Sequence, residues 1–222
     1  MRENIHRGLL LAAVATVALG APASAQAARF GFADDAGKYA DDGGAAYYSD
    51  LRSAGGTENR ITVLWDPEHP LQIADEGFLD RALPVAAAKG VRVVFHVYPL
   101  GPTSVTSKPA AVQGFADFLT KLATAYPDVH EYVVGNEPNQ PRFWRPQYSA
   151  LGRALAAPAY AALLGKSYDA LKKLDPALKV IGLWLSGGGN DLPFAPSNAS
   201  TSPVRFLRDL GVAYPRAGGS WR

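Results

Sequence analysis

The feature that most restricts this chain is a repeat of form: strand, loop, helix, five times in succession. Arg29-Phe-Gly-Phe-Ala33 reads as a short strand ending at Asp34-Asp35. Tyr39 to Ser53 then has a helical pattern around a Gly43-Gly44 interruption, with Gly55-Gly56 as its stop. The β-branched run from Arg60 to Trp65 is closed by Asp66-Pro67. It is followed by a helix over Phe78 to Lys89, where Phe78, Leu79, Leu83 and Ala86 are helically spaced and Gly90 marks the end. Val91 to Val97 is a third strand, ended by Pro99 and Gly101-Pro102. Pro109 to Tyr126 has proline in its first turn and Phe115, Phe118, Leu119 and Leu122 on one side. Tyr132 to Val134 precedes a helix over Ala157 to Leu174. Lys179 to Leu185 precedes Gly187-Gly188-Gly189 and a helix over Ser202 to Leu210. Such alternation predicts an α/β fold with all-parallel strands, because a parallel pair needs a crossover long enough to hold a helix.

Short strands rich in Val and Ile suit a sheet covered on both faces. Two architectures meet this description, an open doubly wound sheet and a closed TIM (β/α)8 barrel. No Gly-x-Gly-x-x-Gly follows the first strand, which disfavours the dinucleotide-binding form of the open sheet. The loops after the strands are long and carry Trp, His, Asn, Asp and Glu, and barrels build their sites from those loops. Five units in the 197 residues that follow Ala25 are about 39 residues each. Eight such units need about 315 residues, and barrels typically need about 250. The expectation is an incomplete TIM barrel of about five βα units, truncated before its last three.

Residues 1–28 read as a signal peptide. Arg2 and Arg7 give a positive start, Leu9 to Leu19 is apolar, and Ala23-Ser24-Ala25 suits cleavage. About eleven apolar residues are too few to span a bilayer, where roughly 20 are needed. No later segment is apolar enough to span, so a secreted protein with no membrane association after cleavage is expected. A partial barrel over residues 29–212 and an irregular tail over 213–222 complete the organisation. Losing Arg2, Glu3 and Arg7 takes the formal charge from +2 to +1, which argues against a nucleic-acid partner. With no cysteine, thiolate metal sites are excluded, and four scattered histidines form no ligand-spaced pair. No metal or organic cofactor is implied.

One segment carries specific chemistry. Glu131-Tyr-Val-Val-Gly-Asn136-Glu137-Pro138-Asn139, followed by Phe143-Trp144, resembles the end of strand four in clan A of the glycoside hydrolases. The resemblance covers residues 29–212. It implies that Glu137 is the acid/base carboxyl, that Asn136 holds the sugar's 2-hydroxyl, and that the substrate is a β-linked polysaccharide or oligosaccharide cleaved with retention. Breaking a glycosidic bond needs a protonated carboxyl beside the leaving oxygen, with a pKa raised by a dry or anionic setting. A contact to the 2-hydroxyl strengthens in the transition state. Pro138 pushes Glu137 away from helical geometry. Asn139, the last residue of the motif, is a further substrate-binding candidate.

Other strand ends support two readings each. Arg60 resembles the strand-two arginine that some clan members aim at their nucleophile; it is equally an ordinary strand-start cation. Trp65 is a sugar-stacking ring or core. His96 lies near the place of a substrate-binding histidine in related enzymes, or is a satisfied core residue. Trp144 is a candidate sugar platform, and Trp184 is platform or core. Asn190 and Asp191 approach a ligand on a glycine-rich loop or simply make a turn.

A retaining glycosidase needs a second carboxylate about 5 Å from the first. In the clan this is a glutamate ending strand seven, which has no counterpart here. Asp34, Asp35, Asp66 and Glu68 end strands, but none matches that position. An unclosed barrel would also leave strands one and five with unpaired edges, a route to self-association, and interior apolar residues, including Val63, Phe95 and Val133 or their neighbours, would lose part of their cover. Three readings follow: an inactive or nearly inactive retaining glycosidase, a glycan-binding module using Trp65, Trp144 and His96, or an α/β domain with an incidental Asn-Glu-Pro.

Overall fold

The computed structural model describes residues 29–216; the signal peptide expected over residues 1–28 and the chain after Arg216 lie outside them. Strands β1 (Gly31–Ala33), β2 (Glu58–Trp65), β3 (Arg92–Pro99), β4 (Glu131–Val134) and β5 (Lys179–Ile181) form one sheet. All pairings are parallel and the order is β1-β2-β3-β4-β5. That order decides between the two architectures. A doubly wound sheet reverses direction at a switch point, so its helices fall on both faces. Here every crossover steps the same way, and right-handed crossovers then place all helices on one face. The result is an incomplete TIM barrel whose other face is the barrel interior.

The helices are α1 (Ala36–Tyr39), α2 (Ala45–Ser53), α3 (Glu76–Ala88), α4 (Ala111–Ala125), α5 (Ala156–Leu174) and α6 (Pro203–Arg216). Three departures from the sequence reading exceed two residues. The Tyr39–Ser53 helix is two pieces, because Gly43 and Gly44 adopt φ of 66° and 86°, and the Asp42 carboxylate accepts the Gly44 and Ala46 amides to start α2. Strand five ends at Ile181 rather than Leu185, because Leu183 turns to a φ of 67°. The last helix runs to Arg216, four residues into the stretch read as an irregular tail. Its Phe206, Leu210 and Tyr214 repeat at helical spacing and are buried.

The strand pleat sorts side chains between two environments. Along β2, Asn59, Ile61, Val63 and Trp65 are buried while Glu58, Arg60, Thr62 and Leu64 are half-buried. The buried set packs with Phe95 and Val97 of β3, Tyr132 and Val134 of β4, and Phe115, Phe118, Leu119 and Leu122 of α4. Burying each such aromatic or aliphatic side chain contributes roughly 1.5–3 kcal/mol. Val63 and Phe95 therefore face helices and keep their cover; they do not line the open interior, as the sequence reading had them. Val133 does face inward, in register with His96, yet it is buried and keeps its cover too.

At the strand starts the inner face is ionic. Glu58 pairs with Arg92, and Glu131 with Lys179 at 2.9 Å and Arg92 at 3.3 Å, while Arg29 reaches both Glu58 (2.6 Å) and Glu131 (3.3 Å). The Glu131 side chain is 5% exposed. Three cations offset the cost of burying it. β1 and β5 are the sheet's outer strands, each paired on one side among the described residues.

Candidate active site at the strand ends

At the other end of the strands the inner face turns polar and aromatic. Arg60, third in β2, and His96, fifth in β3, share the inner face two residues apart in register. An Arg60 Nη1 donates to His96 Nδ1. Since that nitrogen accepts, the imidazole proton sits on Nε2, which donates to the Gly135 carbonyl at 2.8 Å. The histidine is thereby fixed as a neutral tautomer, buried, and tied to the end of β4. The Arg60 guanidinium stacks 4.3 Å from the Trp184 ring, and its Nε is buried without a partner among the described residues. Burial lowers the pKa of this guanidinium, while Asp35 and Tyr98 act to raise it. The His96 ring also contacts Tyr98 at 5.1 Å and Trp184 at 5.7 Å.

Beyond β4, Gly135 has a φ of 76°, and a Cβ there would stand 2.9 Å from the Tyr160 ring. Only glycine meets both conditions. Asn136 and Glu137 follow, both half-exposed. Glu137 takes a φ of 38°, a left-handed conformation that costs a non-glycine residue roughly 1–3 kcal/mol. Its amide donates to the Trp184 carbonyl at 2.8 Å and its carbonyl accepts from the Gln140 amide at 2.8 Å. Neither the Asn136 amide nor the Glu137 carboxylate bonds to another described side chain or backbone group. A strained backbone thus presents an uncommitted carboxylate on the loop whose backbone bonds Trp184.

The remaining strand-end carboxylates are occupied. Asp34 accepts the Ala36 amide and Asp35 the Thr62 amide. Asp66 accepts the Glu68 amide and meets His69 at 2.9 Å, and Glu68 pairs with Lys108 at 2.8 Å.

Three sequence candidates move out of the ligand-facing set. Trp65 is 1% exposed on the helix side of β2, edge-on to Phe115, with its indole donating to the Pro70 carbonyl. The pleat sends it away from the interior. Trp144 is 2% exposed and lies edge-on to Tyr160, so it has no free face for a sugar. Asn139 is fully buried: its Nδ2 donates to the carbonyls of Ser186, Gly188 and Thr201, and its Oδ1 accepts the Ser186 amide. Arg60, His96, Asn136, Glu137 and Trp184 are the candidates that come together. Asn190 and Asp191 make the turn, with Asn190 Oδ1 accepting from Leu192 and Ser200 and Asp191 from Ser202.

Tyr98 and Tyr160 were missed. Tyr98 sits where the period-two pattern of β3 is broken by buried residues on both faces. Tyr160 belongs to an apolar helical stripe and reads as core. Nothing in the sequence marks its hydroxyl, which donates to the Val134 carbonyl at 2.8 Å and accepts the Leu183 amide at 3.0 Å.

A larger recess, about 590 Å³, lies between α3 and α4 against Leu79, Leu83, Pro84, Tyr126 and Val129. It lies on the helix side and is largely apolar, with Asp80, Arg92 and Asp128 also in its lining. The inner-face recess beside Arg60, Glu131, Val133 and Trp184 is about 320 Å³. Among the described residues no cluster of three His, Asp or Glu could hold a metal, and no helix is long and apolar enough to cross a membrane.

No protein-family model matches the chain, and no curated protein matches it. Solved structures do. The endo-1,4-beta-mannanase from Rhizomucor miehei aligns over 81% of this chain and 63% of its own, with 13% identity and a TM-score of 0.54. GH5_18 from Streptomyces cattleya, solved with GlcNAc, aligns over 69% and 44%, with 19% identity and a TM-score of 0.50. A family 39 glycoside hydrolase from Bacteroides cellulosilyticus WH2 aligns over 67% and 29%, with 19% identity and a TM-score of 0.46. The chain spans 29% to 63% of the length of these three. At such identities the first two show a likeness of fold alone: a (β/α)8 barrel, present in part.

Proposed function

We propose that the face formed by Arg60, His96, Asn136, Glu137 and Trp184 is the acid/base half of a retaining glycosidase site for a β-linked glycan in an exported protein. The observation that carries this is the uncommitted Glu137 carboxylate, held on strained backbone one hydrogen bond from the exposed Trp184. A sugar ring stacks on Trp184, which is 42% exposed. Asn136 meets the 2-hydroxyl. Glu137, protonated, gives its proton to the glycosidic oxygen as the bond to the anomeric carbon breaks. As carboxylate, it then takes a proton from the water that attacks the anomeric carbon.

Forming the glycosyl intermediate needs a second, free carboxylate. The other strand-end acids, Asp34, Asp35, Asp66 and Glu68, are engaged in turns, caps and ion pairs. This favours a second reading for these 222 residues on their own: glycan binding without turnover. Self-association belongs to the same proposal, at the outer edges of β1 and β5.

The test is calorimetric titration of the 222-residue chain with β-1,4-linked manno- and cello-oligosaccharides. Saturable binding is expected, weakened at least about tenfold by Trp184→Ala and little changed by Glu137→Gln. Any hydrolysis detected should vanish in Glu137→Gln. Absence of binding across the panel, or equal binding by Trp184→Ala, contradicts the proposal.

A further inference from the structure

Strand β5 leaves the sheet after Ile181, yet Trp184 three residues later is held firmly enough to stack on Arg60. Its support does not come from the strand ladder. Leu183, at a φ of 67°, donates its amide to the Tyr160 hydroxyl at 3.0 Å, and that hydroxyl donates onward to the Val134 carbonyl at the end of β4. Tyr160 is fully buried, and burial raises its pKa, so the hydroxyl keeps the proton this relay needs. On the other side, Ser186 donates its amide to Asn139 Oδ1 at 3.0 Å and accepts from Asn139 Nδ2 at 3.1 Å. That reciprocal pair imitates the exchange between two strands. The same Nδ2 reaches the Gly188 and Thr201 carbonyls. Between the two clamps, the Trp184 carbonyl accepts the Glu137 amide at 2.8 Å.

We infer that Tyr160 and Asn139 are positioning residues: two side chains that replace the missing ladder on either side of Trp184, setting its ring against Arg60 and its carbonyl against the Glu137 amide. A regular continuation of β5 would alternate its side chains strictly across the sheet. The left-handed Leu183 breaks that alternation, and the side-chain clamps stabilise the resulting bend. Partly buried donors left unpaired are unfavourable, so the bend depends on both clamps. The consequence for glycan affinity rests on the function proposed above; the placement of Trp184 does not.

The experiment uses the 222-residue chain labelled with 5-fluorotryptophan, with the Trp184 fluorine resonance assigned by Trp184→Phe and Trp65 as internal reference. Tyr160→Phe, which keeps the ring, and Asn139→Ala should each shift or broaden the Trp184 resonance while Trp65 stays in place. Oligosaccharide titration of the same proteins should show a loss of about three- to tenfold for each. That loss should disappear when the substitution is made on a Trp184→Ala background, which a general loss of stability would not produce. An unmoved Trp184 resonance in Tyr160→Phe overturns the inference, and this variant decides alone if Asn139→Ala does not fold. A shifted Trp184 resonance in a chain that binds no glycan sustains the positioning and sinks the function.

Discussion

The two faces of the sheet are built on opposite principles. The helix-facing residues, Ile61, Val63, Phe95, Val97, Tyr132 and Val134, are apolar and closed off by α3, α4 and α5. Of the inward residues, Glu58, Arg60, Arg92, His96 and Glu131 are charged or polar and pair with one another across strands, beside the apolar Val133. One face supplies stability by burial. The other spends stability on placement, with a buried Arg60 Nε lacking a partner and a left-handed Glu137. Strained, incompletely satisfied positions concentrate where a chain does chemistry. Losing an inner side chain should therefore cost less stability than losing an outer one.

The sharpest challenge to that contrast is Phe95→Ala. It empties a fully buried site between strand and helix and should cost about 3–5 kcal/mol in urea unfolding. A cost below about 1 kcal/mol would show the outer face to be loosely packed. Glu131→Ala comes next, at roughly 2 kcal/mol. It removes the shared partner of Arg29, Arg92 and Lys179, but those cations are partly exposed and can rehydrate. Unlike the Phe95 effect, this one should shrink as salt is raised.

Arg60→Ala should lower glycan affinity at least about tenfold while changing unfolding free energy by less than about 1 kcal/mol. The reverse pattern would make it a structural cation. Glu137→Gly sharpens the contrast from the other side. Relieving the positive φ should raise stability by about 1 kcal/mol, and destabilisation would mean that the carboxylate holds the loop. The smallest effect concerns Asp191. Hydrogen bonds from Ser202 hold its carboxyl below the ordinary value. With its folded pKa depressed, its contribution is complete above the unfolded value near 4 and fades as pH falls through the folded one. Asp191→Asn should flatten that acid limb slightly, a change readable in unfolding midpoints between about pH 5 and 3.

What could be read from the residues follows the same division. Repeated apolar runs and helical faces marked the outer layer, because burial writes a periodic pattern. The strand order, and with it the barrel, was expected from the alternation and the loops. The Asn136-Glu137-Pro138 turn was legible because proline and a strand end constrain it locally. Trp65 and Trp144 were not, since a tryptophan beside a site and one in the core have the same letter, and only the pleat and the packing separate them. Strand β5 misled for a related reason: Lys179 to Leu185 is an unbroken strand pattern, and the bend at Leu183 is imposed by Tyr160 and Asn139, remote in sequence. Asn139 closes that motif, but its amide bonds the carbonyls of Ser186, Gly188 and Thr201.

The most direct test of the account is a map of backbone amide shifts as a β-1,4-linked oligosaccharide is titrated into the isotopically labelled 222-residue chain. The account predicts perturbations clustered at His96 to Pro99, Gly135 to Gln140 and Gly182 to Gly188. Perturbations confined to the apolar recess around Leu79, Leu83 and Tyr126, or none at saturating sugar, would contradict it.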